Sequence, residues 1–239
     1  MLLEVRALSV HYGTIQALES VSFGLTTGEI VALIGPNGAG KSTALKALSG
    51  AAALEGGRIT AGEVWFDGSE ITGTTTDRLV RAGISLIPER RHVFSSMSVA
   101  ENLEMGGYTL KRRDVVKSTE RVLTIFPHLQ CRLKVVAGVL STGEQQMVAL
   151  ARGLMINPRL LLADEPFLGL SPEYVDIVSE TLRDINRSGT SVLFAEQNVS
   201  MALDLAHRAY VFERGRIPLA GNSGELQNSA EVKRLFWGS

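Results

Sequence analysis

The chain is poor in cysteine. One of its 239 residues is Cys, Cys131, so it can build neither an internal disulfide nor a multi-thiolate metal site. Histidine is sparse as well. His11, His92, His128 and His207 are scattered, with no His-Glu-x-x-His run and no Cys/His cluster, which excludes the common structural zinc patterns. An excess of one charge is also missing: 24 Lys and Arg face 25 Asp and Glu, a formal net charge of -1. Bulk electrostatic attraction to nucleic acid is therefore excluded. No apolar run approaches the ~18 residues of a membrane-spanning helix. The opening MLLEVRALSV is interrupted by Glu4 and Arg6, which predicts no secretory leader, because a leader needs an unbroken apolar stretch. A lone cysteine fits a reducing compartment. Together these absences predict a soluble cytoplasmic protein without repeats or low-complexity linkers.

What is present supports a packed core: 45% of residues are hydrophobic and 21% charged. The length suits one domain with an insertion. Leu2–Val10 and Val21–Leu25 read as strands. Glu29–Ile34 reads as a buried strand, Lys41–Leu48 as a helix stopped at Gly50, and Glu63–Phe66 as a strand closed by Asp67-Gly68. Ile84–Ile87 is a further short strand ending at Pro88. The character then changes. Ser98–Glu101 and Ser141–Glu144 are capping boxes that open helices, the second running to about Met155, and Val115–Phe126 is helical between them. The βα rhythm returns with strands at Leu160–Ala163, Ser191–Ala195 and Ala209–Glu213, and with a helix opened by Ser171-Pro172. This order predicts an α/β fold with a mainly parallel sheet covered on both faces. The core covers about 1–90 and 156–239, with a helical insertion at about 91–155.

Residues 35–43 read GPNGAGKST and match G-x-x-x-x-G-K-[ST] between an apolar strand and a helix. Gly35, Pro36, Asn37, Gly38, Ala39 and Gly40 form a loop whose backbone N–H groups can face phosphate oxygens. Lys41 brings a cation to the β- and γ-phosphates, Ser42 and Thr43 add hydroxyls with Ser42 directed to Mg²⁺, and the helix adds its dipole. A guanine-specifying [NT]-K-x-D segment is absent, which argues against a Ras-like GTPase. Residues 160–166 read LLLADEP. Strand alternation sends Asp164 and Glu165 to opposite sides, with Asp164 for the Mg²⁺ shell and Glu165 for the attacking water.

Residues 140–147 read LSTGEQQM. This resembles the LSGGQ signature of ABC ATPases, and phosphate loop, signature and DE-tipped strand follow in that family's order along essentially the whole chain. IPERRHVF (87–94), SVAENL (98–103), GEQQM (143–147) and AEQN (195–198) look more narrowly like the ATP-binding subunits of branched-chain amino-acid importers. The resemblance implies a P-loop NTPase (RecA-like) fold with an N-terminal antiparallel β portion and an inserted helical signature subdomain. It implies ATP and Mg²⁺ as ligands and Tyr12 as an aromatic stacking on adenine. It implies Ser141, Gly143 and Glu144 as the signature that reaches ATP held by a second ATP-binding subunit. It implies Glu89 beside Mg²⁺ where most relatives carry Gln, with Arg90, Arg91 and His92 facing the membrane partner. Gln197 stands where most carry a His, and can sense a γ-phosphate but cannot take a charge. Glu165, Lys41 and Gln197 then form the catalytic set.

The implied partners are membrane permease subunits, a second ATP-binding subunit as hetero- or homodimer and, indirectly, a substrate-binding protein, with no nucleic acid. The implied place is peripheral, on the cytoplasmic face of the inner membrane. Urea or short amides are the alternative cargo. Two departures stand out: Thr142 replaces the first glycine of the signature, and Phe167 replaces a small hydroxyl residue. They leave open a weakly hydrolysing regulatory subunit and predict altered packing across a dimer. A soluble ABC-type ATPase acting on nucleic acid or ribosomes is the third reading, disfavoured because this length holds neither coiled-coil arms nor a second cassette.

Overall fold

The computed structural model describes residues 1–237. The elements run β1 (Leu3–Tyr12), β2 (Ile15–Leu25), β3 (Ile30–Ile34), α1 (Lys41–Leu48), α2 (Ala51–Leu54), β4 (Gly57–Phe66), β5 (Ser69–Glu70), α3 (Thr76–Ala82) and β6 (Ile84–Ile87). Helices α4 (Val99–Gly106), α5 (Arg112–Ile125) and α6 (Thr142–Leu154) follow, with short 3₁₀ turns at Pro127–Arg132 and Ala137–Val139. The chain closes with β7 (Leu160–Asp164), α7 (Pro172–Arg187), β8 (Ser191–Glu196), α8 (Val199–Leu205), β9 (Arg208–Glu213), β10 (Arg216–Asn222), α9 (Ser223–Asn228) and α10 (Ala230–Trp237).

Two sheets form. The first is antiparallel, in the order β2-β1-β4-β5; the second has the order β10-β9-β3-β8-β7-β6 and is parallel except at its β10-β9 edge. The parallel strands are apolar along their whole length because both faces are covered. Every residue of β3, β7 and β8 is buried. Alternation divides them. Ile30, Ala32, Ile34, Leu161, Ala163, Val192 and Phe194 face a core shared with α6 and α7, while Val31, Leu33, Leu160, Leu162, Leu193 and Ala195 face a core shared with α1 and the antiparallel sheet.

Both capping boxes form as the spacing predicts. The Ser98 and Ser141 hydroxyls accept the Glu101 and Glu144 N–H groups, and each glutamate accepts its cap's backbone N–H in return. The strand expected at Glu63–Phe66 begins earlier, at Gly57, and that expected at Val21–Leu25 begins at Ile15. Both extensions form one long three-stranded ladder on β1. Cys131 is exposed, so it has no part in the core.

Candidate nucleotide site

The register of the parallel sheet brings the chemistry to one edge. Ile34 pairs with Glu196, Asp164 with Ala195, and Ile87 with Ala163. The loops after β3, β6, β7 and β8 therefore leave the same carboxyl edge, where open α/β sheets place their ligands. The loop after β3 wraps tightly. A Cβ on Gly35 would lie 2.3 Å from the Phe212 carbonyl oxygen, and one on Gly40, at φ 105°, would lie 2.7 Å from Leu18. Only glycine satisfies both positions. α1 starts at Lys41 with no side-chain cap among the described residues. The first N–H groups of a helix have no acceptor within it, so they point toward the loop as an anion site.

Lys41 is buried, and its ammonium donates to the Gly35 and Pro36 carbonyls at 2.7 and 3.1 Å. The Glu165 carboxylate stands 3.9 Å away. Burial pulls the Lys41 pKa down, against the opposing pull of Glu165, Asp164, Glu196 and Glu89. The Ser42 hydroxyl donates to Asp164 Oδ1 at 2.9 Å. Asp164 is 3% exposed, and burial pushes its carboxyl up to about 6 against the help of Ser42, with the Glu165 and Glu89 charges adding to the rise.

Glu165 is not part of the strand. It follows β7 with φ 45°, its N–H donating to the Ala195 carbonyl. Its separation from Asp164 is thus made by a left-handed turn, where strand alternation was expected. Asp164 reaches Ser42 and Glu165 reaches Lys41, so the two carboxylates do take different partners.

Gln197 is exposed and lines an open cleft of ≈ 620 Å³ with Pro36, Glu165 and Glu196. Glu196 is a residue the sequence reading missed. It is 6% exposed, and its Oε1 accepts the Gln197 and Asn198 N–H groups at 2.8 and 3.1 Å. Its Oε2 is buried with no partner among the described residues. Burial raises its pKa despite those two donors. The Glu196 side chain thereby fixes the turn that carries Gln197.

Tyr12 is half-buried. Its ring lies against Gly57, where a Cβ would sit 2.9 Å from it, and its hydroxyl reaches the Thr43 side chain. The fold thus brings this aromatic to the phosphate loop. Glu89 is 43% exposed in its side chain and pairs with Arg90 at 3.3 Å. Its charge reaches Asp164 and Lys41, while its carboxylate takes its hydrogen bond from Arg90 and that of Asp164 takes its own from Ser42.

Ser141, Gly143 and Glu144 lie elsewhere, at the start of α6, which packs chiefly on α4, α5 and β6. Gly143 is buried under the Tyr174 ring of α7, where a Cβ would meet ring carbons at 2.2–2.4 Å. Thr142 is exposed beside it. Phe167 overturns an expectation. It is 5% exposed and packs edge-on against Phe194 at 6.3 Å between centroids, so its ring fills this chain's own core and does not offer itself to a second subunit. Arg91 also turns inward: it is half-buried, and its guanidinium donates to the Leu168 carbonyl.

Among the described residues no group of three or more His, Cys, Asp or Glu can hold a metal. One hydroxyl and one buried carboxylate fit the demand of Mg²⁺, which keeps several waters and takes its remaining ligands from substrate phosphates.

A model of the ABC transporter family matches residues 18–168. The chain is 42% identical over 231 residues to the high-affinity branched-chain amino acid transport ATP-binding protein BraG of Pseudomonas aeruginosa, covering 97% of each chain. It is 33% identical over 232 residues to a probable branched-chain amino acid transport ATP-binding protein, LivF, of Archaeoglobus fulgidus, covering 97% of this chain and 96% of that one. The fold matches a solved nucleotide-free ATP-binding cassette from an ABC transporter with a TM-score of 0.87 and 24% identity, covering 100% of this chain and 99% of that one.

Proposed function

The chain belongs to the ABC transporter family, and from that premise we propose that it is the ATP-binding and ATP-hydrolysing subunit of an importer of branched-chain amino acids. The observation that carries the reading is the meeting of Lys41, Ser42, Asp164 and Glu165 at the carboxyl edge of the parallel sheet. Likeness over nearly the full length to two branched-chain amino acid transport ATP-binding proteins supports the cargo. We take the chain as one nucleotide-binding domain with a helical insertion. No helix among the described residues is long and apolar enough to cross a membrane. In this reading, which rests on the family, the path for the cargo belongs to separate permease subunits. The chain attaches peripherally to them, on the cytoplasmic face, beside a second ATP-binding subunit.

In the mechanism we propose, Tyr12 receives the adenine and residues 35–43 receive the phosphates. Lys41 leaves the Gly35 and Pro36 carbonyls and neutralises the β- and γ-phosphate oxygens, where charge develops during transfer. Ser42 and Asp164 would hold Mg²⁺, with Glu89 nearby, and the chemistry the ion would supply there is neutralisation of charge on the phosphate oxygens. Glu165 accepts a proton from the water that attacks the γ-phosphorus in line. Gln197, set by Glu196, donates a hydrogen bond to the γ-phosphate. Ser141, Gly143 and Glu144 serve the nucleotide of the second subunit. Thr142 leaves this function in place, because the kept Gly143 is the position without room for a side chain.

The test is Glu165→Gln. It should bind ATP as tightly as the parent, stop releasing phosphate and accumulate as an ATP-bound dimer on size exclusion. Undiminished phosphate release would remove Glu165 as the base.

A further inference from the structure

The segment that follows Glu89 is held in an unusual way. Arg90, Arg91 and His92 all lie in the left-handed region, with φ of 60°, 67° and 44°. L-residues other than Asn and Asp visit that region rarely, and consecutive visits are rarer still. Contacts from outside the segment must therefore hold it.

Those contacts come from the helical block. Arg152, in the last turn of α6, donates from Nη1 to the His92 carbonyl at 2.7 Å and from Nη2 to the Arg91 carbonyl at 3.0 Å. Its guanidinium also lies over the Phe94 ring, 5.1 Å from the centroid. Asn102 of α4, fully buried, accepts the Phe94 N–H at 2.9 Å and donates to the Phe94 carbonyl at 3.0 Å. Residues 91–94 are thus pinned to α4 and α6, while Glu89 stands two residues upstream of Arg91, in the turn that follows β6. The planar fork gives each of the two successive carbonyls its own Nη in a fixed geometry, which the freely rotating ammonium of a lysine does not reproduce.

We propose that Arg152 is a positioning residue for the metal side of the nucleotide site. By fixing the carbonyls of Arg91 and His92 it sets the left-handed turn, and the turn sets where the Glu89 carboxylate stands. The other end of α6 carries Ser141, Gly143 and Glu144. One stiff helix therefore links the groups that would serve the second subunit's nucleotide to a carboxylate beside this subunit's own metal. The inference rests on the ATP-binding reading and adds to it a residue and a route.

The experiment measures binding of a fluorescent ATP analogue to the full chain, first in EDTA and then during a Mg²⁺ titration. Wild type, Arg152→Lys, Arg152→Ala, Glu89→Ala and the Arg152→Ala/Glu89→Ala pair are compared. In EDTA the Arg152 variants should match wild type within about twofold. The Mg²⁺ concentration for half-saturation should rise about tenfold in both, the scale seen when a group behind a metal ligand is lost. The pair should be no weaker than Glu89→Ala alone, because Arg152 acts through Glu89. Unchanged Mg²⁺ half-saturation in the Arg152 variants, or additive losses in the pair, would overturn the proposal. Arg152→Lys keeps the charge but loses the planar fork, so it carries the test if the alanine variant does not fold. Failure of the ATP-binding reading would look different: wild type itself would not bind the analogue with or without Mg²⁺.

Discussion

Asp164→Asn should make the nucleotide-free protein more stable while removing its hold on magnesium nucleotide. Asp164 is 3% exposed and accepts one hydrogen bond, from Ser42 at 2.9 Å. Its carboxyl ionises at about 6 in the folded chain, against an ordinary 3.8. The folded state therefore keeps its proton where the unfolded state has lost it. Stability is full below pH 3.8 and declines as pH rises toward 6. The gap between those values, at 1.36 kcal/mol per pH unit, is worth about 3 kcal/mol above pH 7. Asn keeps the shape, can still accept from Ser42 and carries no charge at any pH. Urea denaturation of the nucleotide-free variant and parent should give equal stabilities near pH 4. Near pH 7.5 the gap should be about 3 kcal/mol in favour of Asn, or roughly 2–4 °C in Tm for each kcal/mol in a chain of this size. Mg²⁺-dependent ATP binding should be lost in the same variant. A stability difference that does not change between pH 4 and 7.5 would refute the reasoning, whatever happens to activity.

Two other substitutions test the packing beside the site. Gly143→Ala places a methyl 2.2–2.4 Å from Tyr174 ring carbons and should cost about 1–3 kcal/mol; adding Tyr174→Ala should return much of it, and thermal unfolding of the single and double variants reads both. Phe167→Ala empties a site that is 5% exposed and should cost about 3–5 kcal/mol in urea unfolding; a loss below about 1 kcal/mol would mean the ring is not core.

The parts of the site readable from sequence were those whose chemistry is local. The phosphate loop is nine consecutive residues, and Gly35 and Gly40 have close neighbours that leave no room for a side chain there. The capping boxes at Ser98 and Ser141 are four-residue patterns that form without distant help. What escaped depends on register between distant segments. Glu196 matters because β8 lies beside β3 with Glu196 opposite Ile34, and no spacing rule announces that pairing. The early half of β4 was hidden by Gly57 and Gly62, which weaken a strand signal but here allow Tyr12 and Ala7 to approach closely. Glu165 was placed by strand alternation, yet the strand ends at Asp164 and a left-handed residue takes over. Phe167 was expected to alter packing across a dimer because the family resemblance places a small hydroxyl residue there. Its burial is decided by Phe194, on a different strand.

The Lys41 ammonium resting on the Gly35 and Pro36 carbonyls makes the loop its own competitor. Those two hydrogen bonds tie the loop to its own lysine. They also set an entry condition. A ligand must offer the ammonium something better than two carbonyls, and terminal phosphate oxygens do. A nucleoside monophosphate has only its α-phosphate to offer, which does not extend as far into the loop. Selection for nucleotides that carry a phosphate beyond the α-position thus begins with the loop's own carbonyls.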